Sequence, residues 1–419
     1  MRFPKGYEKE GYCVKLNKCI YGLQESPKYR NEMLHAEMIQ LGFTASKVDP
    51  CLYVKLAPDG VTKLFVLVYV DDLMTVGTKA MVDEFEEAMF KRFQIKRHGP
   101  ITSYCGLDFV RNRADRTGEI KMEKYIEKML KTFALEDINP SSLPYKEGMK
   151  IDAPDPAYIK SNPMTEEERK KMSRIPYRSL VASLNWISSM LRFDITFTVK
   201  KLTQNFNEPR MIHWEAAKTV LAYLKRTKHI GIKVNSNKTT NPDPLLMTYC
   251  DADWASDRVT RKSTTGVITM VFNTPVSWKV HIQKSVASST MEAEYMGLAE
   301  ATKETLYIRA LLKEYGFEQK TATPIWEDNN AAVILARDPK FHARSKHIDI
   351  SYHLTRDYQQ QGKISVFRCP TKMMMADLLT KYIGKETLEH CHLCTAGYRP
   401  LEIPIKAYDK YCQGKTVSK

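Results

Sequence analysis

Leu64-Phe65-Val66-Leu67-Val68-Tyr69-Val70-Asp71-Asp72-Leu73-Met74-Thr75-Val76-Gly77 sets two runs of apolar, β-forming residues around adjacent aspartates. The pattern predicts a buried hairpin with both acids at its turn. Aspartate is common in turns for conformational reasons alone, so an Asp-Asp pair by itself says little. Two neighbouring carboxylates with no cation nearby in sequence nevertheless repel each other, and a divalent metal relieves that repulsion.

Working outward, Met33–Leu41 has helical spacing, Leu52–Lys55 reads as a strand and Val82–Phe93 as an amphipathic helix. Residues 1–138 therefore form a first mixed block. Asn139–Met164 carries five prolines (Pro140, Pro144, Pro154, Pro156 and Pro163) and little periodicity, which predicts a linker. Tyr177–Leu224 is helical in pattern, with Ala217, Val220, Leu221 and Leu224 on one face. The polar stretch Asn235–Asp243 closes this linker and helical region at 139–243. In 244–384, strands are expected at Leu245–Cys250, Thr265–Phe272, Val276–Lys279, Pro324–Trp326 and Ile364–Arg368, with helices at Thr290–Tyr315 and Ala331–Ala336. That order predicts a mixed sheet with helices packed on it. Residues 385–419 show no clear pattern and read as a tail.

Composition narrows the function. At 419 residues and about 150 residues per domain, two or three domains are expected. A 43% hydrophobic content supplies real cores. Lysine plus arginine total 64 against 49 acids, a net charge of +15, which predicts a polyanionic partner. The longest apolar run, Leu64–Val70, falls far short of the ~20 residues a membrane helix needs. The nine scattered cysteines predict reduced thiols and a cytoplasmic or nuclear protein. Lys91–Lys131 holds eleven basic residues against five acids, either a solvated face or a track for phosphates. Cys391 and Cys394 are spaced like half a zinc site, and with no second pair structural zinc is not expected.

Four acids of the third block carry the remaining chemistry. Asp251 shares a strand face with Asp253. Glu292 stands at capping-box distance from Ser289, whereas Glu294 shares a stripe with Leu298, Ala301, Thr305, Ile308 and Leu312, where a carboxylate is costly unless satisfied. Asp328 competes with Asn329 and Asn330 for a helix N-cap, and Asp377 falls in the first turn of an expected Ala376–Tyr382 helix. Singly each acid has a structural explanation. Together they can converge on a pair of Mg²⁺ ions.

Tyr69-Val70-Asp71-Asp72 resembles the metal-binding hairpin of reverse transcriptases. Cys19–Pro27, Leu41-Gly42-Phe43 and Ser46–Tyr53 are similar to copia-type retrotransposon polymerases. Tyr177–Val181 and His213–Lys218 match the segment that follows the polymerase there. Thr248–Trp254, Ser263–Gly266, Val276–Trp278, Ser288–Tyr295, Glu327–Ala332, Arg344–Asp349 and Ala376–Lys381 resemble the copia-type ribonuclease H.

The resemblance implies a combined α+β and α/β fold: a partial reverse-transcriptase palm, a helical connecting region and a ribonuclease H-like mixed sheet. It places Asp71 and Asp72 as polymerase metal ligands, Gln24 near the incoming nucleotide, and Asp251, Glu294, Asp328 and Asp377 as ribonuclease ligands for Mg²⁺ or Mn²⁺. Lys346 and His347 would lie near the scissile phosphate, although helix-start and surface roles explain them equally well. The third polymerase aspartate should precede Arg2–Tyr7, Gln24-Glu25 replaces a Lys-Gln pair, and Arg30 stands at a tryptophan position. The expectation is an N-terminally truncated polymerase that is inactive alone, beside an intact ribonuclease. Ser256 at a glycine position and Val280-His281-Ile282 in a more basic run are milder departures. The implied partners are RNA–DNA hybrid, RNA template and DNA, with no membrane. Self-association, assembly with particle proteins, and a decayed or co-opted non-catalytic binding role stay open.

Overall fold

The computed structural model describes residues 3, 5–17, 20, 22–149, 151–152, 156–235, 245–337 and 349–401. The chain divides into two compact units, Met1–Gly99 and Pro100–Lys419.

In the first unit, α1 (Ser26–Gln40) leads into β1 (Thr44–Ala45), β2 (Leu52–Leu56), β3 (Lys63–Tyr69) and β4 (Asp72–Val76), then α2 (Lys79–Arg92). The four strands form an antiparallel sheet in sequence order. Leu64 and Val66, two apart on β3, meet Leu34 and Met38 of α1 and Phe85 and Met89 of α2 in one core. Thr78 caps α2 by accepting from the Met81 N–H.

The second unit opens with β5 (Ser103–Tyr104), β6 (Leu107–Asn112), β7 (Thr117–Lys121) and α3 (Glu123–Thr132). Helices α4 (Pro156–Ser161), α5 (Glu166–Ser173), α6 (Tyr177–Met190), α7 (Thr196–Thr203) and α8 (Met211–Arg226) follow, then β8 (Ile232–Asn235). Residues 100–138 were expected with the first block but build into this unit instead. β7 pairs with β8, and Ile126, Met129 and Leu130 of α3 bury in the core that holds Val220, Leu221 and Leu224 of α8. The pairing lies more than a hundred residues away in sequence, so no local pattern announces it.

The expected linker is a strap packed on the helices. Ser141 N–H donates to Ala222 O at 3.2 Å, Asn205 Nδ2 to Ile151 O at 3.0 Å, and Lys201 Nζ to Asp152 Oδ1 at 2.8 Å. Backbone and side-chain groups of the helical region thus pair with polar groups of the strap, which buried backbone requires. Of the expected boundary at Asn235–Asp243, only Asn235 is described.

A five-stranded sheet then forms from β9 (Leu246–Asp253), β10 (Thr264–Val271), β11 (Thr274–Ile282), β12 (Thr323–Glu327) and β13 (Ile364–Arg368), in the order β11-β10-β9-β12-β13. β10 pairs antiparallel with β9 and β11, while β12 runs parallel to β9 and β13. Helices α9 (Thr290–Tyr315), α10 (Asn330–Arg337) and α11 (Asp349–Gln360) belong to this part. α9 ends at Gly316 with φ 93°, and Phe317 N–H donates back to Leu312 O at 2.7 Å, a left-handed stop that suits glycine. The expected tail contains α12 (Lys385–Thr395), whose Leu388, Cys391 and Cys394 bury in the core shared with α6, α8 and the sheet. No described helix is long and apolar enough to cross a membrane.

Candidate metal centre

Asp251 lies near the end of β9, opposite Gly266 of β10, and is buried. On α9, Ser289 Oγ accepts from the Glu292 N–H at 3.2 Å, and the Glu292 carboxylate accepts from the Ser288 N–H at 2.7 Å. Glu292 is thus a capping residue, with Ser288 as its reciprocal partner. Glu294 has no such duty and is only 4% exposed. Gln283 fastens the start of α9 to the sheet beside it, donating to Thr265 Oγ1 at 2.9 Å and to Ala293 O at 2.7 Å. After β12, Asn329 Oδ1 accepts from the N–H groups of Ala331 and Ala332 at 3.0 and 3.2 Å. Asn329 therefore caps α10, and Asp328 is left for other work.

One carboxylate oxygen from each of Asp251, Glu294 and Asp328 lies within 4.8 Å of the others. Glu294 Oε2 is buried with no hydrogen-bond partner. Burial, then Glu327, Asp251 and Asp328, push the Glu294 pKa up to about 11. Burial also raises Asp251, against the pull of Lys381 and Thr380. A crowd of buried acids with an orphaned oxygen is costly unless a cation joins it. The all-oxygen donor set suits Mg²⁺ or Mn²⁺.

Asp377 sits on a short 3₁₀ helix, Met375–Leu379, in place of the expected Ala376–Tyr382 helix. Lys381 Nζ is 2.9 Å from Asp377 Oδ1 and 3.5 Å from Asp251 Oδ1, and the Thr380 hydroxyl donates to Asp251 Oδ2. Burial and Asp251 lift the Asp377 pKa to about 7 against the pull of Lys381. The segment reaches Asp251 because β10 carries a glycine there. A Cβ on Gly266 would stand 2.7 Å from Leu379 Cβ and 2.8 Å from Thr380 Cγ2. Sequence reasoning missed Thr380, Lys381 and Glu327. Glu327 is fully buried, its Oε1 accepts from the Asn329 N–H at 3.0 Å, and burial drives its pKa well above the carboxylate range. Its place beside Asp328 was the one available signal.

The Asp71-Asp72 hairpin forms as a turn closed by the Tyr69–Asp72 pair, with Val70 at φ 51°. It is not buried as expected: only the inner part of β3 faces the core, and Tyr69 through Asp72 are exposed. Asp71 also has a cation partner, the Arg30 guanidinium from α1. Gln24 is exposed in the turn before α1. Among the described residues, neither hairpin acid joins a metal-capable cluster. Lys346 and His347 lie outside the described residues.

The family described as "Reverse transcriptase (RNA-dependent DNA polymerase)" matches residues 1–147. The retrovirus-related Pol polyprotein from transposon TNT 1-94 of Nicotiana tabacum is 33% identical over 395 residues, covering 93% of this chain and 29% of that protein. The corresponding polyprotein from transposon RE2 of Arabidopsis thaliana is 30% identical over 394 residues, covering 93% of this chain and 26% of that protein. The chain thus spans under a third of the length of these relatives. A foamy viral protease–reverse transcriptase, solved in complex with RNA/DNA hybrid, aligns over 84% of this chain and 39% of its own, at 10% identity and a TM-score of 0.41.

Proposed function

The chain belongs to the copia-type retrotransposon Pol polyproteins and carries their reverse-transcriptase/ribonuclease H region, and from that premise we propose that it hydrolyses the RNA strand of RNA–DNA hybrids at the Asp251 centre. The observation that carries the reading is the convergence of Asp251, Glu294 and Asp328, with the buried Glu294 Oε2 unpartnered.

These three residues, with Asp377, would hold the divalent ions. Such ions, when bound, supply an activated water and stabilise charge on the leaving 3′ oxygen. The chain's own part is positioning. Thr380 and Lys381 fix Asp251, Gln283 fixes the start of α9, and the Asn329 cap leaves Asp328 uncommitted. The net charge of +15 favours the hybrid's phosphates, and discrimination would come from groove shape and the 2′-hydroxyl.

For residues 1–419 acting alone, we propose no polymerase activity. Among the described residues neither hairpin acid joins a metal-capable cluster, and the Arg30 guanidinium pairs with Asp71. Purified protein is incubated with labelled RNA–DNA hybrid and Mg²⁺, beside Asp251→Asn. RNA cleavage that vanishes in the variant supports the reading. Hybrid binding without cleavage by folded protein overturns it in favour of a non-catalytic remnant, and primer extension on an RNA template overturns the polymerase half.

A further inference from the structure

The centre is electrostatically lopsided. Asp251, Glu294 and Asp328 form one half, which among the described residues has no cation of its own beyond the reach of Lys381 to Asp251. The other half, Asp251 with Asp377, already holds one: Lys381 Nζ lies 3.5 Å from the first and 2.9 Å from the second.

The backbone that carries that ammonium is fixed on both sides. On the near side, Lys381 N–H donates to Asp377 O at 3.3 Å, and the preceding Thr380 hydroxyl is bonded to Asp251. On the far side, Ile383 N–H donates to the Tyr145 hydroxyl at 2.9 Å, and that hydroxyl donates to Ile383 O. The Tyr145 ring meets Tyr382 edge-on at 4.6 Å, and Phe197 meets the same Tyr382 at 5.0 Å. Tyr145 comes from the strap and Phe197 from α7, so both lie outside 244–384. Lysine is normally a mobile, strongly hydrated charge. Here its origin is pinned within a few residues of two carboxylates.

We propose that Lys381 is the resident counter-ion of the Asp251–Asp377 half, that Tyr145 is the positioning residue that keeps it there, and that a divalent ion enters this half only by displacing the ammonium. The Asp251–Glu294–Asp328 half takes its ion without that competition. The two halves therefore differ in affinity, and the helical connecting region helps to set the difference. The inference rests on the metal-dependent reading above and concerns how the same residues divide the ions between them.

The test is calorimetric titration of the full chain with Mn²⁺, reading binding rather than turnover. Wild type should show a tighter and a weaker site. Lys381→Met should raise the weaker affinity about ten-fold or more, while the tighter one stays within about three-fold. Tyr145→Phe keeps the ring and removes the hydroxyl, and should move the weaker site the same way by a smaller factor. Tyr398→Phe, which removes the hydroxyl of a half-buried tyrosine bonded to Glu119 and Gly231, should leave both sites unchanged. Lys381→Gln with a matching melting curve guards against misfolding. A weaker site that stays within two-fold in both lysine variants overturns the inference while the ribonuclease reading stands. No Mn²⁺ uptake by wild type overturns both.

Discussion

The Thr380 hydroxyl donates a hydrogen bond to Asp251 Oδ2 across 129 residues of sequence. A buried carboxylate on the central strand thus draws part of its satisfaction from a side chain that folds in from the far end of the domain. Removing the donor should leave the acid short of a partner. Thr380→Val is expected to cost about 1–3 kcal/mol of metal-free stability, read by urea unfolding, with most of it retained in Thr380→Ser.

Glu294 fixes a pH dependence. Its folded pKa is pushed up to about 11 by burial and by Glu327, Asp251 and Asp328, far above an unfolded glutamate at 4.5. Between those values the folded chain binds the extra proton. Stability must then fall as pH rises, and it is greatest below the unfolded pKa. Asp377, lifted from 3.8 to about 7 by burial and Asp251, adds the same sign over its lower window. Melting of the metal-free protein should drop from pH 5 to pH 9. Glu294→Gln should flatten that slope, and an unchanged slope in the variant would refute the assignment.

Gly266 is required by space, since a Cβ there would press into Leu379 and Thr380. Gly266→Ala should displace the segment that carries Asp377, costing about 1–3 kcal/mol. Hybrid cleavage should fall further than stability explains, because Thr380 withdraws from Asp251. Cleavage rates compared at a temperature where both proteins are fully folded provide the check.

Away from the centre, Arg192 and Asp194 form a buried pair at 2.7 Å, and Tyr223 donates to the same Asp194 carboxylate. Burial opposes the Asp194 charge, but Arg192 outweighs it and keeps the pKa well below the usual carboxylate range. Arg192→Met alone should cost about 3–5 kcal/mol by leaving that charge unpaired. Adding Asp194→Leu should recover most of the loss in denaturant titrations.

Where burial imposes a strict period, the sequence is a good guide. Thr290–Tyr315 and Ile364–Arg368 fold with the bounds their patterns predict, and Glu294 is buried on α9 with the stripe it was placed in. The pattern fails where polar residues do the packing. α12 buries Cys391, His392, Cys394 and Thr395 beside Leu388, a helically spaced face in which Leu388 is the one aliphatic side chain. It fails again where the partner is distant in sequence. Nothing local to Lys381 shows that it will reach Asp251, and nothing near Tyr145 points to Ile383. The cation at Asp71 came from Arg30, a residue noted only for what it replaced.

The bond between Tyr145 and Ile383 spans 238 residues, and that separation sets a schedule for the newborn chain. At a synthesis rate of ~5–20 residues per second, roughly 12–48 s pass between the ribosome adding Tyr145 and adding its partner. During that interval the Tyr145 hydroxyl lacks its Ile383 partner, and β9, once made, waits with Asp251 in place but no Thr380 or Lys381 beside it. Asp251 gains both partners only after the strap, helices α1 to α11 and all five strands of its sheet have been made.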